Sequence, residues 1–209
     1  MADTASGETQ SYSPQKGTLY CYDFNVELRC EVKLPLNGAV YDITDFMLGG
    51  RSYLVVGINA LVRIYMIERE SDTVEKIAEV ESQIITYKLK VVKPRFVQRR
   101  KDHVKILVAD IMKSLTVYTF ARYPNSNDGE RFKLDARDTN GLWCIEMADV
   151  PETKRPDDDD ADMDGDAENL DDFYLTSDFD QNLTLLQRMR NIDSEKADLL
   201  QIKSSVFIG

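Results

Sequence analysis

The chain holds one histidine, His103, set among Lys101, Asp102 and Lys105. A general base needs a nucleophile and an orienting partner within hydrogen-bond reach, and a lone imidazole in a charged turn is poor material for such a triad. Gly49-Gly50 is a single pair, without the later Gly-Lys-Ser or the helix start that a phosphate-cradling loop requires. Cys21, Cys30 and Cys144 have no metal-ligand spacing, and their odd number argues against a disulfide framework, so they read as small strand residues. The phrase Asp162-Met163-Asp164-Gly165-Asp166-Ala167-Glu168 superficially resembles a calcium loop, but its glycine comes too early and no amphipathic helices flank it. These residue types predict no catalytic group, no metal site and no cofactor.

Two charged segments remain. The net charge is −11, and Asp157, Asp158, Asp159, Asp160, Asp162, Asp164, Asp166, Glu168, Asp171 and Asp172 form a run without Lys or Arg; removing those ten charges from −11 leaves −1. The acidity belongs to one self-repelling segment and not to the fold, which predicts a disordered loop between strands. Its opposite pole is Lys88 to Lys105, with Lys88, Lys90, Lys93, Arg95, Arg99, Arg100, Lys101 and Lys105 against Asp102. Arg99, Arg100 and Lys101 are the candidate contacts to nucleic acid, through salt-sensitive phosphate binding. The plainer reading is a solvated hairpin turn whose charges discourage edge pairing.

The elements that would carry any surface are short β-branched and aromatic runs. The 209 residues are 43% hydrophobic, enough for a sizeable core. Strand character appears over Thr18 to Phe24, Val40 to Phe46, Tyr53 to Ile58, Leu61 to Ile67, Ile84 to Val92, Val104 to Ala109, Leu115 to Phe120, Leu142 to Met147, Phe173 to Thr176 and Leu183 to Leu186. Helix is expected only as a short turn near Glu68 to Glu79. Tight connections at Asn59-Ala60, Asp110 to Ser114 and Asp178 to Gln181 predict three hairpins. Meanders repeating every ~40 to 60 residues predict an all-β chain, a partial β-propeller of about three to four blades of antiparallel sheets. The expected organisation is a polar, flexible segment at 1–16, propeller blades at 17–150, the acidic insertion at 151–172 and further, truncated strands at 173–209. No apolar stretch approaches bilayer length and the start is polar, so the expectation is an intracellular chain with no membrane contact.

Several phrases occur together in order: Gly38-Ala39-Val40-Tyr41; Val56-Gly57-Ile58-Asn59-Ala60-Leu61-Val62-Arg63-Ile64-Tyr65; Leu107-Val108-Ala109-Asp110-Ile111-Met112-Lys113-Ser114; and Ala136-Arg137-Asp138 with Trp143 five places later. Together they resemble the third propeller of the damaged-DNA-binding large-subunit family, adaptors of cullin-type ubiquitin ligases. The related large subunit of cleavage and polyadenylation specificity factor shares the Ala-Asp-x-Met-Lys-Ser type of turn. The resemblance runs from about Gly17 to Gly209, whereas family members carry three propellers, which implies a fragment of a larger multi-propeller protein. It implies a non-enzymatic scaffold, in the nucleus and also the cytoplasm, that binds substrate-receptor proteins and works with a cullin-type ligase. Carried onto matching positions, the partner surface would be Ile84, Ile85, Tyr87 and Lys88 on one strand, Ile111 and Lys113 at a turn, and Trp143. The alternative within the same superfamily is a scaffold of an mRNA cleavage or splicing complex that contacts nucleic acid.

Overall fold

The computed structural model describes residues 17–22, 25–34, 38–68, 71, 73–82, 84–92, 103–112, 114–122, 130–138, 144–150, 173–193 and 195–208. The chain divides into two compact units, Met1–Ala39 and Val40–Gly209. In the first, β1 (Gly17–Tyr22) pairs antiparallel with β2 (Leu28–Leu34), with a register shift after Cys21.

The second unit is three four-stranded meanders. The first runs β3 (Val40–Leu48), β4 (Arg51–Ile58), β5 (Leu61–Glu68), β6 (Thr73–Glu81). The second runs β7 (Thr86–Val92), β8 (His103–Asp110), β9 (Leu115–Arg122), β10 (Glu130–Asp138), and the third β11 (Cys144–Asp149), β12 (Phe173–Asp178), β13 (Asn182–Met189), β14 (Asp198–Phe207). Within each meander every pair is antiparallel. The outer strands of the second and third meet in a short parallel bridge, Ala136↔Asp198 and Arg137↔Leu199. The chain is therefore all-β, a partial propeller, as its repeating runs imply.

The three expected hairpins are present. Ile58 pairs with Leu61 across Asn59-Ala60, Ala109 with Leu115, and Ser177 with Leu183. At Gly49-Gly50, between Leu48 and its partner Arg51, both φ angles are positive (56° and 76°), the conformation of a two-residue hairpin turn that glycine adopts at no steric cost. Two expectations are corrected. Glu68 to Glu79 is no helical turn, because β5 reaches Glu68 and β6 begins at Thr73. Val74, Ile77 and Val80 imitate helical spacing because a register shift opposite Ile64/Tyr65 makes Ile77 an extra residue and breaks the period of two. Ile84 and Ile85 precede β7 and do not lie on the strand with Tyr87 and Lys88, so strand alternation does not set their directions.

The meanders exist as sheets because each has apolar faces to cover. Phe46, Leu48, Tyr53, Val55, Val62, Ile64 and Met66 of the first pack with Leu89, Val104, Ile106, Val108, Tyr118 and Phe120 of the second. The opposite face of the second, through Val92, Leu107, Ala109, Leu115, Val117 and Ala136, packs with Cys144, Met147, Tyr174, Leu186 and Leu200 of the third. A middle sheet covered on both sides explains why β8 and β9 read as nearly continuous apolar runs. Rings interlock at the first contact: Phe46 stacks on Tyr53 at 5.0 Å, and Phe120 meets each edge-on at 5.9 Å. Fully burying each such side chain contributes about 1.5–3 kcal/mol.

One backbone approach fixes how closely the first meander meets β7. A Cβ added at Gly57 would lie 2.7 Å from Thr86 Cγ2 and 3.3 Å from Thr86 Cβ, and Thr86 is fully buried. Gly57→Ala is expected to lower unfolding stability by about 1–3 kcal/mol through overpacking. Denaturant titration checks this, and adding Thr86→Ser, which removes the clashing methyl, is expected to recover part of the loss.

Candidate functional site

The first strand of every meander carries the same irregularity one residue in. The register passes from Val40↔Ile58 to Asp42↔Gly57 on β3, from Thr86↔Asp110 to Lys88↔Ala109 on β7, and from Cys144↔Asp178 to Glu146↔Ser177 on β11. Tyr41, Tyr87 and Ile145 are thus the extra residues of three equivalent bulges, a device that re-aims neighbouring side chains. The residue after each bulge is charged. Lys88 Nζ stands 3.8 Å from Asp42 Oδ2 and 3.7 Å from Glu146 Oε2, and Lys90 Nζ is 3.8 Å from Glu146 Oε1. Asp42 Oδ2 also accepts a 2.8 Å hydrogen bond from the Leu89 amide. That bond satisfies a donor on an edge strand, and the charges tie the first strands of all three meanders together.

The bulges sit at one end of the sheets, where the connecting turns also gather. The Thr86 amide donates to the Asn59 carbonyl at 2.7 Å, the Ser82 amide to Ala60 at 2.8 Å, and the Ile111 amide to Ile85 at 3.1 Å. Asp110 is the anchor of its turn. Its carboxylate accepts from the amides of Met112 (2.8 Å) and Ser114 (3.1 Å) and from the Ser114 hydroxyl. Asp178 repeats the device four residues from Asn182, whose amide (2.9 Å) and side-chain nitrogen it binds. Held from beneath, the turn tips are apolar and outward: Met112 is 67% exposed, Phe179 54% and Ile111 37%. Tyr87 lies against Phe179, ring centroids 6.4 Å apart, so the second and third meanders share one surface. Tyr41, 45% exposed, is the equivalent position on the first.

Of the residues expected at a partner surface, Ile84, Ile85 and Tyr87 lie half-buried along this end and Ile111 projects from the Asp110 turn. Lys88 is on β7, where its ammonium is engaged by Asp42 and Glu146. Lys113 and Trp143 fall outside the described residues, as do Arg99, Arg100 and Lys101, the segment 1–16 and the acidic insertion 151–172. Met112, Phe179 and Tyr41 were not singled out from sequence. The signal for the first two was available, an apolar residue inside a turn opened by aspartate. His103 opens β8. Among the described residues no group of three or more His, Cys, Asp or Glu gathers as a metal site would.

Cys21, Cys30 and Cys144 all fall on strands, as expected. Cys144 is buried, and burial, with the charges of Glu146 and Asp178 added, pushes its thiol from 9.0 up to about 12.

Stacked four-stranded meanders, with an apolar surface at their turn ends, define a β-propeller of the scaffold class. The family model of the CPSF A subunit region matches residues 4–153, and the chain belongs to that family, whose members are β-propeller scaffolds. None of the curated proteins compared with the chain matches it.

Two outcomes follow from this geometry. Asp42→Ala removes the acceptor for the Leu89 amide and a partner of Lys88, and is expected to cost about 1–3 kcal/mol in chemical denaturation, with Asp42→Asn retaining part of it. The Cys144 thiol holds about a thousandfold less thiolate than an ordinary cysteine at neutral pH, so native alkylation should be very slow and become complete in denaturant. The unfolded thiol releases its proton first, so this contribution is intact below pH 9.0 and is lost as pH climbs toward about 12.

Proposed function

We propose that the chain is the receptor-binding part of an adaptor subunit of a cullin-type ubiquitin ligase that serves the DNA-damage response. The observation that carries this reading is the apolar turn-end surface of Ile111, Met112, Tyr87 and Phe179, held rigid by the Asp110 and Asp178 turns. Exposed apolar side chains on preordered turns bind at low entropic cost, and an amphipathic helix of a substrate-receptor protein fits such a surface. Ile84, Ile85, Lys113 and Trp143 belong to the same proposed contact by the sequence resemblance, with Lys88 supplying charge beneath it. Such a subunit works in the nucleus and also in the cytoplasm. The family match supports the superfamily that holds both this reading and the mRNA-processing one.

Affinity purification of the full-length protein from its own cells tests the proposal. Cullin and receptor proteins are expected to co-purify, and Met112→Asp or Phe179→Asp should reduce receptor recovery about tenfold or more while leaving the thermal midpoint unchanged. Recovery of RNA-processing subunits instead, with salt-sensitive RNA binding lost on replacing Arg99, Arg100 and Lys101 by Glu, would transfer the function to the second reading.

A further inference from the structure

We propose that Cys21 and Cys30 form a reversible disulfide across the β1–β2 hairpin, closed by a small oxidised thiol such as oxidised glutathione. The two residues are direct register partners, Cys21↔Cys30, lying between Tyr20↔Glu31 and the shifted pair Tyr22↔Leu28. Opposed residues of an antiparallel pair have Cα atoms about 4.5 Å apart at a non-hydrogen-bonded position and about 5.5 Å at a hydrogen-bonded one. Both values lie inside the roughly 4.4–6.8 Å window of disulfides, so the backbone admits the bridge at either kind of position.

Two features make the pair selective. Tyr20, Tyr22 and Leu28 beside it are each half exposed or more, so the hairpin is open to a tripeptide reagent. The third cysteine does not compete, because Cys144 is sealed in the apolar core of the other unit. A single exchangeable pair is also distinct from a disulfide framework, and a reducing compartment would keep it open until an oxidant appears.

The exchange balances in two steps. One cysteine thiolate attacks a sulfur of the oxidised thiol and expels one thiol, leaving a mixed disulfide; the second thiolate then attacks the protein sulfur and expels the other. The protein loses two electrons and two protons, and one oxidised thiol becomes two reduced thiols. The consequence is mechanical. A two-stranded hairpin is marginal alone, and Val26 in its connection is held at φ 64°, a costly conformation for a β-branched residue, so a cross-link would hold a register that is otherwise weakly fixed.

The full chain, equilibrated with mixtures of reduced and oxidised glutathione, acid-quenched, alkylated and weighed, provides the test. The expected product has lost the mass of two hydrogens, yields one Cys21–Cys30 linked peptide, and leaves only Cys144 to alkylate after unfolding. Hairpin amides should then exchange about tenfold more slowly than in the reduced chain. Cys21→Ser and Cys30→Ser should each leave the remaining hairpin cysteine bound to glutathione. Alkylation of both hairpin cysteines at every ratio, separate glutathione adducts on the two, or a link found only between chains would overturn the proposal.

Discussion

The contact between the first two meanders is where the second unit is decided. A four-stranded sheet has two faces and no interior, and it becomes stable only when another sheet covers its apolar side. Phe46, Tyr53 and Phe120 supply the interlocking rings of that cover, and Gly57 lets the backbone of β4 come up against Thr86 at the start of β7. The second meander then presents its other face to the third through Leu107, Leu115 and Val117. Because the middle sheet must serve both neighbours, its central strands β8 and β9 can spare few polar side chains, and the buried Asp110 and Ser114 have their polar groups engaged in the turn. Stacking thus fixes both the composition of the sheets and the places where polarity survives.

Close stacking creates a difficulty at the first strand of each meander. That strand has one unpaired edge, and its amides and carbonyls need partners that the neighbouring sheet cannot offer as a ladder. The repeated bulge answers this by turning the next residue toward the neighbouring first strands, where Asp42, Lys88 and Glu146 meet. Asp42 serves two needs with one carboxylate, accepting from the Leu89 amide and pairing with Lys88. Alternation of sign at equivalent positions is what lets three bulges of the same shape attract: three like charges in this arrangement would repel, whereas a cation between two carboxylates links the sheets.

The central strands were legible from sequence because they are buried on one face or two. Runs such as Tyr53–Ile58, Leu61–Ile67 and Leu115–Phe120 stand out, and the turn residues between them located the hairpins. The outer strands β2, β6, β10 and β14 were not recognised. β6 and β14 face solvent along much of their length, which dilutes their apolar pattern, and in β6 the extra residue Ile77 converts a strand pattern into an apparent helical spacing; charged residues interrupt the apolar ones in β2 and β10. The bulges were illegible for a related reason. Val40-Tyr41-Asp42, Thr86-Tyr87-Lys88 and Cys144-Ile145-Glu146 share only a large middle residue followed by a charge of varying sign, a pattern too common to mark a bulge, and only the register reveals that they are copies. Of the expected surface, Ile111 could be placed by its phrase and Tyr87 by the resemblance, whereas Phe179 joins it solely because the third meander stacks beside the second.

Propeller turns are separated by many residues in sequence, yet stacking brings their tips side by side, so a binding surface can be assembled from short segments that each contribute one or two side chains. In this chain the segments are anchored in the same manner, an aspartate at the end of a second strand capturing the residue four places on. The anchor takes up the backbone donors of the turn and leaves its apolar members at the exposed tip. Met112 and Phe179 lie outside the two buried cores, and exposing them to water carries a standing cost. A rigid base with an apolar tip is the arrangement on which the proposed receptor contact rests.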